Sequence, residues 1–202
     1  MLTKILTKNQ QELLPLISQF CSQFYLVGGT ALALQLKHRR SIDFDLFTNK
    51  DFINDRILKK IKQFYPIEQT FINSRGELTI KVHAVKMTWY NFPFAMPHEI
   101  KWENIIAMPD VETIAAMKVY ALGQRAKWKD YVDLYFVFQK YSLAKIINRA
   151  NQLFPHQINE RLLREQLNYF ADIDYSEAVE YLPGMAVSDE IVKQELKKIA
   201  IS

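Results

Sequence analysis

Residues 25–47 read YLVGGTALALQLKHRRSIDFDLF, and this stretch carries the most informative pattern of the chain. A short apolar run ends in Gly-Gly-Thr at residues 28–30, and a helical stretch follows. Asp43 and Asp45 then alternate with apolar residues in a second apolar run. Residues two apart in a strand point to the same face, so the pattern predicts two carboxylates on one face, close to a glycine turn.

Such a pattern can bind a phosphate and a divalent cation. Gly28 and Gly29 let a phosphate approach the backbone closely, and the free N–H groups at the start of the following helix favour an anion. The hydroxyl of Thr30 can donate a hydrogen bond to the same phosphate. Asp43 and Asp45 can hold a divalent cation against it.

A simpler interpretation is also open, in which the glycines only turn the chain and the aspartates are solvated edge residues. The neighbours of the acids, such as Ile42, Phe44 and Leu46, are apolar and predict an otherwise buried strand. Burying an unpaired carboxylate costs several kcal/mol. A metal ion or basic neighbours are therefore expected to compensate the two charges, which favours the binding site.

The composition is that of an ordinary folded protein of 202 residues, with 49% hydrophobic and 24% charged residues. The single cysteine, Cys21, excludes an internal disulfide, is expected in the core, and favours a reducing, cytoplasmic compartment. Residues 13–36 carry no charge, but Pro15 and the glycine pair interrupt them, so no membrane span is expected. The net charge of +4 is compatible with an anionic partner such as a nucleotide or RNA, and equally with an unspecialised basic surface.

The first half of the chain is predicted to mix strands and helices. Its helices are expected at residues 9–22, at 30–37 and from 49 or 51 to 64, and its strands at 24–27, 42–48, 67–73 and 77–92. A turn at residues 73–76 joins the last two strands. Pro93 and Pro97 are expected to end the sheet region.

From residue 110 onward the apolar residues recur at three- and four-residue spacing, which is typical of helices. The expected helices lie at 110–124, 128–140, 142–153, 159–170, 175–182 and 188–199. The predicted fold class is therefore α+β, with a mixed-sheet domain at residues 1–107 and an all-helical domain at residues 108–202.

Two further groups of charged residues lie on predicted helices. Lys118 and Arg125 are seven positions apart, about two helical turns, so both are expected on one helix face. Two cations there could grip phosphates, although a solvated basic stripe is the simpler interpretation. Asp130 and Asp133 are three positions apart on the next helix, and Asp130 lies in its first turn, where a carboxylate is favoured. A charged helix start at the surface would also explain them, with Asp133 pairing with a neighbouring Lys or Arg.

Gly-Thr at residues 29–30, twelve intervening residues and Asp-Phe-Asp at 43–45 resemble the core motif of the DNA polymerase beta nucleotidyltransferase superfamily. No Gly-Lys-Ser/Thr follows the glycines, so the segment is not a Walker P-loop. Within the superfamily, the longer string resembles the AbiEii/AbiGii toxin family, whose members show a Gly-Gly-Thr/Ser-Ala-Leu start and a His-Arg-x-Ser-x-Asp-x-Asp end. His38, Arg39 and Ser41 match the beginning of that second motif.

This resemblance implies a polymerase-beta-like nucleotidyltransferase core followed by the helical domain. The implied function is that of a toxin in a type IV-like toxin–antitoxin or phage-defence system. The implied reaction moves an NMP from an NTP to an acceptor, with tRNA as the acceptor of related toxins and Mg²⁺ or Mn²⁺ as the cofactor. A cognate antitoxin is the implied protein partner.

The resemblance also assigns roles to individual residues. The family carries an Asp…Lys helix motif that matches Lys118, whose counterpart contacts phosphates, and an Arg/Lys-Asp-x-x-Asp motif that matches Asp130. The implied catalytic residues are Asp43, Asp45, Lys118 and Asp130, of which Asp43 and Asp45 are also the metal ligands. The implied nucleotide-binding residues are Gly28, Gly29, Thr30, Arg39, Ser41, Lys118 and Arg125.

The chain departs from the superfamily at one position. Polymerase-like transferases often supply a third acid from a later strand, where it acts as a base on the attacking hydroxyl. The equivalent strand at residues 84–92 offers Thr88 instead. A nucleotide- or protein-binding module without turnover is therefore an alternative, and a structural protein whose helical half docks to another chain is a third.

Overall fold

A mixed five-stranded sheet forms the centre of the first of two units in the computed structural model, which describes residues 5–202. The first unit holds the chain up to Leu34 together with Ser41–Asp110, and the second holds Gln35–Arg40 together with Val111–Ser202. The predicted first domain includes Gln35–Arg40, whereas the structure groups this segment with the second unit. Hydrogen bonds and ion pairs to other residues of the second unit hold this short segment.

The sheet consists of β1 (Tyr25–Val27), β2 (Phe44–Thr48), β3 (Gln69–Ser74), β4 (Glu77–Val82) and β5 (Val85–Asn91). Their order across the sheet is β1-β2-β5-β4-β3, so β5 is the central strand. Strands β2 and β5 run parallel, whereas the other neighbouring pairs are antiparallel. The predicted strands at 24–27, 42–48 and 67–73 are therefore present, with small shifts at their ends.

Alternation along the strands gives the sheet one buried face and one mostly polar face. On β2, Phe44 and Leu46 are fully buried, whereas Asp45 between them is partly exposed. On β5, Trp89 is fully buried, and its ring meets that of Phe20 edge-on at 5.3 Å. Burial of this apolar face is the main favourable contribution to the folding of the first unit.

The helices of the first half are α1 (Lys8–Glu12), α2 (Leu14–Ser18), α3 (Gly28–Leu36) and α4 (Asn54–Ile61). The predicted single helix at 9–22 is wrong, because Pro15 has no N–H with which to continue α1 and instead stands in the first turn of α2. The predicted start of α3 at Thr30 is two residues too late. The helix begins at Gly28, where glycine accommodates a φ of +69°.

The predicted strand at 77–92 is in fact two strands, joined by a tight turn at His83 and Ala84. Both turn residues have positive φ, 50° and 59°, a conformation more typical of Asn or Gly. The N–H of Ala84 donates to Glu68 Oε1 at 2.8 Å, and the His83 ring hydrogen-bonds Glu12 Oε2 at 2.5 Å. These partners are distant in sequence, so the turn has no local signal.

A second hairpin follows the main sheet, formed by β6 (Ile100–Trp102) and β7 (Ile106–Met108). The main sheet ends at Asn91, just before Pro93, as predicted, but the sequence did not predict this separate hairpin. Each of these strands has only three residues, which is too short for an alternating pattern to stand out in the sequence.

The second half of the chain contains α5 (Val111–Leu122), α6 (Trp128–Phe138), α7 (Leu143–Leu153), α8 (Glu160–Asn168) and α9 (Asp189–Ile201). Together with the sheet, these helices confirm the predicted α+β class. The predicted helix at 175–182 is wrong, because Tyr181 forms an antiparallel β-bridge with Arg39 and the Glu180 carbonyl accepts a hydrogen bond from Arg40 N at 2.8 Å. Backbone groups that pair with a distant segment cannot form helical hydrogen bonds.

Two smaller expectations concern membranes and the cysteine. Across residues 5–202, none of the helices has both the length and the apolarity that a membrane span requires. Cys21, which the sequence places in the core, is exposed. The observed helix α2 ends at Ser18, so Cys21 does not lie on the helix that was predicted to bury it.

Replacing Ala84 with Gly is expected to stabilise the protein, because Gly adopts positive φ without the steric cost that a Cβ brings. We expect the free energy of unfolding to rise by about 1 kcal/mol, measured by urea unfolding followed by circular dichroism. Ala95→Gly is the matched control, since Ala95 is also exposed but does not have positive φ. The free energy of unfolding of that control should fall by up to about 1 kcal/mol. An equal fall in both variants would contradict the proposed backbone strain at Ala84.

Candidate active site

Gly28 and Asp45 are in direct contact where β1 ends. Gly28 follows Val27, the last residue of β1, and Val27 pairs with Asp45 of β2. A Cβ built on Gly28 would lie 2.2 Å from Oδ2 of Asp45. Both this contact and the positive φ therefore require glycine at position 28, and the Asp45 carboxylate rests against the turn that opens α3.

Thr30 and Ser41 hold the backbone that leads into β2. The buried hydroxyl of Thr30 donates to the carbonyl oxygen of Asp43 and lies 3.2 Å from the carbonyl oxygen of Ser41. The side-chain amide of Gln10 donates to the same Ser41 carbonyl at 2.9 Å. Because a hydroxyl has a single proton, a phosphate contact from Thr30 would require these bonds to change. The predicted phosphate contacts of Thr30 and Ser41 stay predictions.

Asp43 and Asp45 lie on the polar face of the sheet and are not deeply buried. Asp43 immediately precedes β2, and its side chain is 21% exposed. Ile42, expected in the core, is 58% exposed. The predicted burial of the whole segment is therefore wrong, because Ile42 lies before β2 begins at Phe44 and, within β2, only alternate residues face the core. Both acids can meet a solvated ligand without a large desolvation penalty.

Two residues of β5 border the acids. Thr88 pairs with Asp45 in the parallel register, and its hydroxyl lies 3.3 Å from that of Thr79 on β4. Lys86, two residues earlier on the same face, places Nζ 3.6 Å from Oδ2 of Asp43. Sequence reasoning did not identify Lys86, although its period-two spacing from Thr88 is a signal that could have found it.

A buried ion cluster surrounds Asp133 in the second unit. Its two carboxylate oxygens each accept a hydrogen bond from the Arg39 guanidinium at 2.7 Å, which makes a bidentate pair. Nζ of Lys118 lies 2.6 Å from Asp133 Oδ2 and 2.6 Å from Asp130 Oδ1. Nε2 of His38 lies 2.6 Å from Asp133 Oδ1. One carboxylate thus contacts side chains from α5 and from the segment that precedes β2.

Opposite charges keep Asp133 and Lys118 ionised despite their burial. Burial alone would raise the pKa of Asp133, but the charges of Arg39 and Lys118, with hydrogen bonds from His38 and Arg39, hold that pKa well below its usual range. Burial alone would lower the pKa of Lys118, but Asp130 and Asp133 outweigh it and leave the pKa raised. The cluster is therefore a buried ionic network whose members depend on one another.

The two arginines differ from their predicted roles. Arg39 is 4% exposed and forms a structural pair with Asp133, so its guanidinium does not offer the free phosphate-binding face that the sequence predicts. Arg125 lies beyond α5, which ends at Leu122, so Lys118 and Arg125 do not share a helix face. The side chain of Arg125 is 55% exposed and lies 3.5 Å from a carboxylate oxygen of Asp130.

The predicted site residues therefore fall into two groups, each within one unit. The first comprises Gly28, Gly29, Thr30, Ser41, Asp43 and Asp45, and the second comprises Arg39, Lys118, Arg125 and Asp130. Lys118 and Asp130 bind each other, and their place in the nucleotide site stays a prediction. Within residues 5–202, no three or more His, Cys, Asp or Glu side chains are grouped so as to hold a metal ion.

Solved structures share this fold. The protein JHP933 from Helicobacter pylori is similar with a TM-score of 0.62 and 18% identity, over 97% of this chain and 92% of that one. MenT4, a nucleotidyltransferase toxin from Mycobacterium tuberculosis H37Rv, is similar with a TM-score of 0.62 and 16% identity, over 95% of this chain and 80% of that one. The fold is that of the nucleotidyltransferases.

The chain belongs to the family of AbiEii nucleotidyl transferase toxins of type IV toxin–antitoxin systems, whose family model matches residues 16–74 and 90–186. Protein aq_aa25 of Aquifex aeolicus (strain VF5) is 26% identical over 204 residues, which cover 96% of this chain and 97% of that protein. The family resemblance inferred from the motifs is thereby confirmed, and with it the class of enzyme.

Replacing Asp133 with Asn is expected to lower the free energy of unfolding by about 3–5 kcal/mol at pH 7, because Arg39 and Lys118 lose their shared counter-charge in a buried position. The depressed pKa of Asp133 means that its stabilisation is complete above the usual aspartate pKa of about 3.9 and is lost as the pH falls through the lower, folded-state value. Urea unfolding should be measured from pH 7 to pH 3. The difference in the free energy of unfolding between Asp133→Asn and wild type should stay constant and narrow only below about pH 4.

Glu177→Gln is the control for this prediction. Glu177 contacts Lys127 and Lys129 at a partly exposed position, so its loss should cost about 1 kcal/mol or less. A similar cost for both variants would contradict the view that the Asp133 cluster is a buried network.

Replacing Gly28 with Ala is expected to abolish nucleotide transfer while leaving the protein folded. The new Cβ would displace the Asp45 carboxylate, and the positive φ adds about 1–2 kcal/mol of strain. Gly184→Ala is the matched control, because Gly184 also has positive φ, +80°, but has nothing within 4 Å of an added Cβ. Equal activity of the two variants, measured with labelled NTPs, would show that the Asp45 contact has no functional importance.

Proposed function

We propose that this protein transfers a nucleoside monophosphate from a nucleoside triphosphate to a hydroxyl group of an acceptor and releases pyrophosphate. The acceptor oxygen forms a bond to the α-phosphorus and loses its hydroxyl proton to solvent, and the bond from that phosphorus to the oxygen of the leaving pyrophosphate breaks. The observation that carries the proposal is the contact of Asp45 with Gly28, which sets a carboxylate against the turn that opens α3.

A divalent cation, Mg²⁺ or Mn²⁺, fits the donor groups of this site. Asp43 and Asp45 supply hard oxygen ligands and keep access to solvent. Protein sites for Mg²⁺ commonly use one or two carboxylates and take the remaining ligands from substrate phosphates and water, so a pair of acids is sufficient. The bound cation would neutralise charge on the phosphate oxygens and on the leaving pyrophosphate.

The chain's own residues bind and orient the nucleotide. Gly28 and Gly29 open α3 without side chains, so a phosphate can approach the backbone at the start of the helix closely. The Thr30 hydroxyl donates a hydrogen bond to the Asp43 carbonyl and so holds the backbone that leads into β2. Thr88 supplies no carboxylate where the superfamily often has a third acid. Positioning and electrostatic stabilisation are therefore expected to provide most of the catalysis.

Two partners follow from family membership and charge. The family consists of toxins of type IV toxin–antitoxin systems, so we propose a cognate antitoxin that counteracts this protein. The net charge of +4 suits an anionic acceptor, and we propose RNA, with tRNA as the first candidate. A hydroxyl group of a protein is the other acceptor class.

Asp43→Asn and Asp45→Asn should each reduce nucleotide transfer about a hundredfold or more, because each removes a charged ligand from the metal site. The assay incubates the protein with each labelled NTP, Mg²⁺ and total bacterial RNA, and follows both labelled RNA and labelled protein. Glu112→Gln is the matched control, since Glu112 pairs with Lys145 on the helical unit and should leave transfer unchanged.

Unchanged transfer by the Asp43 variant would contradict the metal site. A wild-type protein whose melting temperature rises with one NTP and Mg²⁺, but which releases no pyrophosphate with any acceptor, would favour the nucleotide-binding module over the enzyme.

A further inference from the structure

Lys86 is a cation placed beside the proposed metal ligands by the centre of the sheet. It lies on β5, which is hydrogen-bonded to β2 on one side and to β4 on the other. Its neighbour Met87 pairs with Phe44, the residue after Asp43. The pairing of β5 with β2 and β4 therefore fixes the backbone of Lys86 relative to Asp43. Only the Lys86 side chain beyond Cβ can move.

Lys86 and its cross-strand neighbour Lys81 pair with different acids. Lys81 on β4 pairs directly with Lys86, so two ammonium groups start from adjacent positions on one face. Like charges at such positions repel each other. Lys81 turns to Glu68, at 3.8 Å, and Lys86 turns to Asp43, at 3.6 Å.

The Lys86–Asp43 pair contributes little to the stability of the fold. The Lys86 side chain is 43% exposed, and exposed ion pairs of this kind are weak. Its position matters more, because an ammonium group beside a metal-binding carboxylate competes with the metal for that carboxylate. Once a triphosphate is bound, the same ammonium group has phosphate oxygens as an alternative partner.

We propose that Lys86 is a nucleotide-binding residue that changes partner: it neutralises Asp43 in the metal-free protein and moves to a phosphate oxygen of the NTP when the cation takes Asp43. This inference rests on the proposed function, since it takes Asp43 as a metal ligand. Lys86 opposes metal binding without nucleotide and supports the complex in which metal and nucleotide are bound together. Productive loading of the metal is thereby coupled to the nucleotide.

The test compares Lys86→Gln with Lys81→Gln, which removes an equal charge from an equally exposed side chain of the adjacent strand. Binding of Mn²⁺ alone is measured by electron paramagnetic resonance, and binding of a non-hydrolysable NTP analogue with Mg²⁺ by calorimetry. Lys86→Gln should bind Mn²⁺ alone about two- to fivefold more tightly and the analogue about tenfold more weakly. Lys81→Gln should change neither affinity by more than about twofold, and Lys86→Arg should retain most of the affinity for the analogue.

Each outcome bears on a separate claim. Unchanged or weaker Mn²⁺ binding by Lys86→Gln, or equal effects of the two glutamine variants, would overturn the partner exchange while leaving the metal site intact. Asp43→Asn is measured alongside. Wild-type Mn²⁺ affinity in that variant would overturn the proposed metal site itself, a result that no behaviour of Lys86 can produce.

Discussion

The buried carboxylate of Asp133 is the interaction on which the second unit depends. A charge with no solvent access is tolerated only when partners surround it, and Arg39, Lys118 and His38 provide them. Arg39 lies 94 positions away in the sequence, so the pair recruits residues 35–40 into the helical unit although the flanking chain belongs to the sheet unit. The backbone of this segment is then paired with the stretch around Tyr181, which explains why that stretch is extended.

The first unit has a different constraint, the contact between Gly28 and Asp45. The buried face of the sheet sets the register of β1 and β2, and this register brings the carboxylate against Gly28, where the missing Cβ leaves room for it. Thr30 and Ser41 then support the approach to β2 through backbone carbonyl groups. Thr30 and Ser41 thus support the backbone that carries the acids, and the acids keep the solvent access that a metal ion and a triphosphate would need.

Much of the fold could be predicted because its signals are local. Apolar residues at helical spacing identified α5 to α9, and the glycine turn with two alternating acids identified the nucleotidyltransferase class. Two of the failures share a physical cause. The turn at His83 and Ala84 is held by Glu68 and Glu12, and the extended stretch at Tyr181 is held by Arg39 and its neighbours. In each case long-range hydrogen bonds outweigh local preference, and a pattern of spacing does not contain them.

The sequence by itself predicted that Gly28, Asp43 and Asp45 lie close together, because short connections and the period of a strand bring a glycine turn and two acids to neighbouring positions. Only the tertiary structure decided which charged residues accompany them. Arg39 shares a motif with the acids, yet a bidentate bond to a buried carboxylate commits it to the helical unit. Lys86 shares no motif with them, yet the pairing of β2 with β5 places its ammonium group beside Asp43. Local spacing therefore specifies the acids, whereas strand pairing and charge burial specify their electrostatic surroundings.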